Sequence, residues 1–288
     1  MADYSYFYKE ELPVHGQWDC GWDVFVSAYN LSDRVDYVFK HVVATHKIWV
    51  GLPDYSIKPS DFPANGILFD SGLSDEAEYM AEFFAAHLSN IKSCRVCIDI
   101  TGFVKPYMMF FVKYFFMMGG RRLDVIFSEP DNYARKEETL FSDEKVLNVR
   151  QVVGFEGVHS TDTSNDVLII GAGYDHSLVR QVVETKDHAR RKLRVFGFPS
   201  LRPDMYQENI LRSTRADEAV GVSCAGHEPD NYFAPANDPF VTAGVLHDIW
   251  VRENQRMPIS NLYLSPLATK GRHWGSCFST CLSVRIGQ

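Results

Sequence analysis

Short apolar runs alternate along the chain with segments whose apolar positions recur with a period near 3.6. Val24-Phe25-Val26 is a short apolar run that closes at Ser27-Ala28-Tyr29-Asn30. Val35, Val38, Phe39, Val42 and Val43 then recur at i, i+3, i+4, i+7 and i+8, the spacing of one helix face. Asn30 or Ser32 is placed to cap that helix. Lys47 to Leu52 reads as a strand stopped by Pro53, and Gly66 to Phe69 as another. Ser74 to Leu88 is amphipathic, with Asp75 and Glu76 in its first turn, where acidic groups suit the helix dipole. Arg95 to Ile100, Pro106 to Met118 and Leu123 to Phe127 read as strand, helix and strand.

The second half repeats this order. Asp166 to Ile170 is a strand closing at Gly171-Ala172-Gly173, followed by a helix carrying Leu178, Val179, Val182 and Val183 on one face. Leu193 to Phe198 is a strand stopped by Pro199; helices follow near 205–220 and 240–254, and Ile259 to Leu264 is the last strand. Asn237-Asp238-Pro239 suits the cap of the helix from Phe240. The segments VFVSAYN and LIIGAGY, KIWVGLP and RVFGFP, and CIDITGFVKP and LYLSPLATKG line up. An internal duplication explains this, although any two β-α-β units share the same order. The expected fold is α/β: two Rossmann-like halves with mainly parallel sheets, pseudo-duplicated, over 1–155 and 156–288. The charge-rich stretch within 128–165 reads as the bridge. From about residue 271 the tail turns Ser- and Cys-rich and departs from the amphipathic helix that follows DITGF, which raises the expectation that the natural C-terminus is altered there.

Composition narrows the function classes. The 288 residues are 45% hydrophobic, which excludes a disordered chain. With 29 basic and 37 acidic residues the net charge is -8, so general binding to a nucleic-acid backbone is not expected. Six cysteines are too few for a disulfide scaffold of this length. The start MADYSYFYKEELPV lacks the features of a signal peptide. The most apolar run, Phe103 to Met118, carries Lys105, Pro106 and Lys113 and reads as a buried helix. A cytoplasmic protein without membrane partners is the expectation.

Parallel strands joined by right-handed crossovers put all their C-terminal ends on one edge, and open sheets take ligands in the crevice there. At that edge the sequence collects 27–30, 53–55, 99–103 and 128–130, then 171–176, 198–204 and 265–270. Small and polar residues in these turns let a ligand approach backbone N–H groups; the same residues also serve turns and caps. Ser27, Asn30, Thr101, Gly102, Gly171, Gly173, Asp175, Thr269 and Lys270 are the candidate ligand-binding residues. Asp99, closing its strand before Thr101 and Gly102, suits a ribose or a hydrated metal, or the cap of the helix at Pro106. Lys270 and the backbone of 171–173 suit phosphate.

DITGF at the end of an apolar strand, followed by a helix and VIFSEP, is similar to the D-x-T-x-G-T/K pattern of CRISPR-associated Rossmann-fold (CARF) sensor domains, and LYLSPLATKG resembles the same turn. Two such units in one chain resemble the fused SAVED arrangement of antiphage signalling. The resemblance implies an oligonucleotide messenger bound over the C-terminal edge. Asp99, Thr101, Gly102, Thr269 and Lys270 would line the pocket, with Ser27 and Gly171 in the first-strand turns. It also implies a partner effector protein or an intrinsic activity. Residue 103 is Phe where that pattern has Thr or Lys.

Two other classes stay open. Asp99 and Glu129 end successive strands; as catalytic carboxylates they would serve a nucleotide or phosphoester hydrolase, sharing Mg²⁺ or attacking a sugar. Asp175-His176 is a candidate acid–base pair. A non-catalytic subunit of a larger complex is the third class. No complete dinucleotide fingerprint, Walker A, G-x-S-x-G or HExxH string occurs. Cys94-x-x-Cys97 lies in a strand, where i and i+3 face opposite sides, and reads as packing; no resident metal or cofactor is assigned.

Overall fold

A computed structural model of the chain describes residues 9–129, 149–152, 154, 155, 157, 159–173, 176–201, 207, 210, 211, 231–267 and 270. The chain divides into two compact units, Glu10–Tyr133 and Ala134–Gln288, the latter joined by Met1–Lys9. Both are α/β, and every strand pairing among the described residues is parallel.

In the first unit the elements run β1 (Trp18–Ala28), α1 (Asp33–His41), β2 (Val42–Val50), β3 (Ile67–Phe69), α2 (Glu76–His87), β4 (Val96–Asp99), α3 (Lys105–Met117) and β5 (Leu123–Ile126). The sheet order is β3-β2-β1-β4-β5. Alternation along the strands sends Phe25, Trp49 and Cys97 to one face, where Val35, Val38 and Phe39 of α1 join them in a buried cluster. α2 and α3 pack on each other, through ring contacts such as Phe84 on Phe111 at 5.1 Å. α3 buries Tyr107, Met108, Phe110, Phe111, Val112 and Phe115. It is the buried helix the sequence predicts, and no described helix is long and apolar enough to cross a membrane.

One junction differs from the sequence expectation. Val42 and Val43 are not the last turn of α1; they open β2 directly, with no connecting loop. Lys47 lies at this junction. Its ammonium donates to the carbonyl oxygens of Phe39 and, at 2.9 Å, Val42. Phe39 lies in the last turn of α1, whose carbonyls a helix C-terminus leaves without helical partners, and Val42 opens β2. Partial burial lowers the Lys47 pKa from its ordinary value.

In the second unit β6 (Val167–Gly171), α4 (His176–Thr185), β7 (Arg191–Gly197), β8 (Asn231–Ala234), α5 (Pro239–Arg256) and β9 (Leu262–Pro266) form a sheet ordered β8-β7-β6-β9. α5 is capped as the sequence suggests: Asp238 Oδ1 accepts from the Phe240 and Val241 N–H groups, each at 3.0 Å. β8 was not anticipated. It is four residues long and, with two of them exposed, carries too little apolar periodicity to register. The helix expected near 205–220 and the tail from 271 lie largely outside the described residues. Both sheets thus run their first four strands in the same spatial order. Doubly wound sheets adopt that order generally, so it does not by itself establish a duplication.

Candidate functional site at the strand C-termini

The strand order of the first sheet reverses between β1 and β4, the place where open α/β sheets take their ligands. The register there sets Ser27 beside Asp99. Both are fully buried. The Ser27 hydroxyl donates to Asp99 Oδ2 at 2.9 Å, and the Thr101 N–H donates to Asp99 Oδ1 at 2.9 Å. Thr101 Oγ1 in turn accepts from the Ser128 N–H at 2.9 Å, tying the turn after β4 to the turn after β5. Gly102 presses on the turn after β1: a Cβ there would stand 1.8 Å from the Ala28 carbonyl oxygen. Four sequence-predicted residues, Ser27, Asp99, Thr101 and Gly102, therefore come together as one closed latch beneath the rim.

The rim above this latch holds two residues that sequence reasoning did not single out, Tyr55, within the 53–55 turn, and Arg34. The Tyr55 hydroxyl donates to the Gly102 carbonyl at 2.6 Å. Burial raises the Tyr55 pKa from its ordinary value, Asp54 adds to the shift, and a hydrogen bond with Asn30 opposes it. Arg34, in the first turn of α1, donates through Nη1 to the Ser128 carbonyl at 2.7 Å. It forms no ion pair among the described residues. A cation in a helix's first turn opposes the macrodipole, and that was the available signal for Arg34. Asn30, half-buried, accepts from the Ser32 N–H at 3.2 Å, and the Ser32 side chain makes no cap of its own. Glu129 is exposed, three residues beyond β5. Among the described residues no group of three or more His, Cys, Asp or Glu converges as a metal centre. Cys97 is buried in the α1-side cluster, where burial first, then Asp124 and Asp99, hold its thiol well above the usual range.

The corresponding edge of the second sheet is built differently. Register sets Gly171 beside Pro266, where the first sheet has Ser27 beside Asp99. The Leu267 N–H donates to the Gly171 carbonyl at 3.1 Å, and the Ala172 N–H to Val195 at 2.9 Å. A Cβ on Gly171 would meet Pro266 Cα at 3.4 Å and Leu267 N and the Ser265 carbonyl oxygen at 3.8 Å, all ordinary contacts, so packing does not demand glycine there. Gly173 and Lys270 are half-buried. Asp175 and Thr269 lie outside the described residues.

Comparison with known proteins returns no match: no protein-family model, no curated protein and no solved structure is similar to the chain.

Proposed function

We propose that the C-terminal edge of the first sheet binds a nucleotide-like, anionic ligand. The observation that carries this is the meeting of polar turns where strand order reverses, with the Arg34 guanidinium in the first turn of the helix that leaves β1. Helix N-termini and guanidinium groups both suit phosphate oxygens. Asp99 serves as a positioning residue, because both its oxygens accept hydrogen bonds from within the fold. Asn30 and Tyr55 supply polar groups for a sugar. The similarity of DITGF to sensor-domain turns makes cyclic and linear oligonucleotides the first probes, with an antiphage signalling role and an effector protein as the larger setting.

Hydrolysis through Asp99 and Glu129 has less support. The first carboxylate is fully buried and the second is exposed beyond the strand end. Isothermal titration of the full chain with ATP, cyclic di-AMP and cyclic tri-adenylate tests the proposal. Binding by one of them, weakened about tenfold or more in Arg34→Ala, supports it. Release of phosphate or base without a stable complex would support the hydrolase instead. No heat and no turnover with any probe would leave a subunit of a larger complex.

A further inference from the structure

We propose that His188 operates a proton-dependent clamp at the N-terminal edge of the second sheet, tying the turn between α4 and β7 to the starts of β6 and β9. Asp166 stands immediately before β6 and is fully buried. Its Oδ1 accepts from Asn261 Nδ2 at 2.8 Å, and its Oδ2 accepts from the Tyr263 hydroxyl at 3.4 Å. Both donors are neutral; burial, with Asp166 adding to it, raises the Tyr263 pKa from its ordinary value. A buried carboxylate is costly unless a positive charge balances it. Among the described residues the only group within ion-pair reach that can carry one is His188, whose Nε2 lies 3.5 Å from Asp166 Oδ2. Its other ring nitrogen, Nδ1, lies 3.7 Å from Asp187 Oδ1.

Both separations are longer than a good hydrogen bond. The attraction between the ring and the two carboxylates therefore rests on charge, and it exists only while His188 is protonated. The other charged and titratable groups around it are engaged elsewhere. The Lys186 ammonium lies over the Tyr263 ring, 3.8 Å from its centroid, and His159 stacks on the same ring at 5.5 Å. Lys192 donates to the Asp187 and Ala189 carbonyls at 2.8 and 3.2 Å, and Arg191 pairs with Glu253 at 3.2 Å. A partner that only the protonated ring can serve favours the charged form. The clamp is thus closed below about pH 6.5 and opens as the pH rises above it.

Amide hydrogen exchange of the full chain at about pH 5.5 and about pH 8, corrected for intrinsic rates, tests this. Two amides report on the clamp: Val167 N–H, which donates to the Asn261 carbonyl at 2.9 Å, and Arg191 N–H, which donates to the Asp166 carbonyl at 3.3 Å. Their protection is expected to fall about fivefold from the lower pH to the higher. His188 is 44% exposed, so its replacement leaves the core intact. His188→Gln should be poorly protected at both pH values, with no fall between them. His188→Lys, which keeps a cation throughout, should stay protected at both. Equal protection of the unsubstituted chain at the two pH values would overturn the clamp. So would a fall that survives unchanged in His188→Gln, or one as large in His188→Lys as in the unsubstituted chain.

Discussion

Ser27 and Asp99 sit side by side at the ends of β1 and β4, joined by a 2.9 Å hydrogen bond and closed to solvent, whereas Gly171 and Pro266 hold the same register positions in the second sheet. The two edges are thus chemically unequal. The first joins its turns through side chains, and the second joins β6 to the turn after β9 through the backbone hydrogen bond between Leu267 and Gly171.

Removing the latch costs stability before it affects any ligand. Asp99→Ala leaves the Ser27 hydroxyl and the Thr101 N–H buried without an acceptor, and is expected to cost about 2–4 kcal/mol. Asp99→Asn keeps an acceptor for Thr101 and should cost less than half as much. Urea denaturation of both variants checks the order; equal losses would show that the acceptor to Thr101 does not matter.

The glycines at the two edges should respond in opposite ways. Gly102→Ala drives a methyl to 1.8 Å from the Ala28 carbonyl oxygen, so the turns must separate; a loss of about 2–4 kcal/mol is expected. Gly171→Ala meets only ordinary contacts and, sitting in a strand, should change stability by no more than about 1 kcal/mol in either direction. Thermal denaturation of the two variants in parallel reads the contrast.

Much of this was legible in the sequence, for physical reasons. The 3.6-residue recurrence of Val35, Val38 and Phe39 and the apolar run Val24-Phe25-Val26 report burial, and burial is what periodicity encodes. DITGF was legible because a carboxylate, a hydroxyl and a glycine in one turn have few uses. What periodicity could not say is which use applied: Asp99 is a buried hydrogen-bond acceptor because Ser27, 72 residues away in sequence, arrives opposite it. Tyr55 and Arg34 were missed because their partners are main-chain carbonyls, which leave no mark on residue type. The α1–β2 boundary was misplaced because Val42 and Val43 satisfy helix and strand spacing equally, and the Lys47 hydrogen bonds to the Phe39 and Val42 carbonyls leave no mark on that spacing.

Alkaline stability should carry the signature of Tyr79. Its hydroxyl donates to the Gly51 carbonyl at 2.8 Å, and burial, with Asp70 and Tyr107 adding to it, holds the phenol above its usual range. Above about pH 10 the unfolded chain releases a proton that the folded chain keeps, so stability falls as pH rises through that point. Tyr79→Phe should lose about 1–2 kcal/mol at pH 8 and show a shallower decline between about pH 9.5 and 10.5. Urea midpoints across that range decide it.

His87 predicts an acid-side effect. It packs against Phe69 and Phe83, with ring centroids at 5.5 and 5.4 Å, and burial lowers its pKa from the ordinary value of 6.5. Below that value the unfolded chain binds a proton that the folded chain resists, so stability is lost as pH falls. Replacing His87 with Gln should flatten the decline between about pH 6.5 and 5.5. An unchanged slope in denaturation midpoints would show that His87 titrates alike in the folded and unfolded chains.

The most direct test of the central claim is amide chemical-shift mapping of the isotope-labelled full chain titrated with the tightest-binding nucleotide probe. Saturable shifts concentrated at Asn30, Leu31, Arg34, Thr101, Gly102 and Ser128, at the C-terminal ends of β1, β4 and β5, are the predicted result. Shifts confined to the opposite edge of that sheet, around Asp19, Asp23 and Arg95, or none at saturating probe, would contradict it.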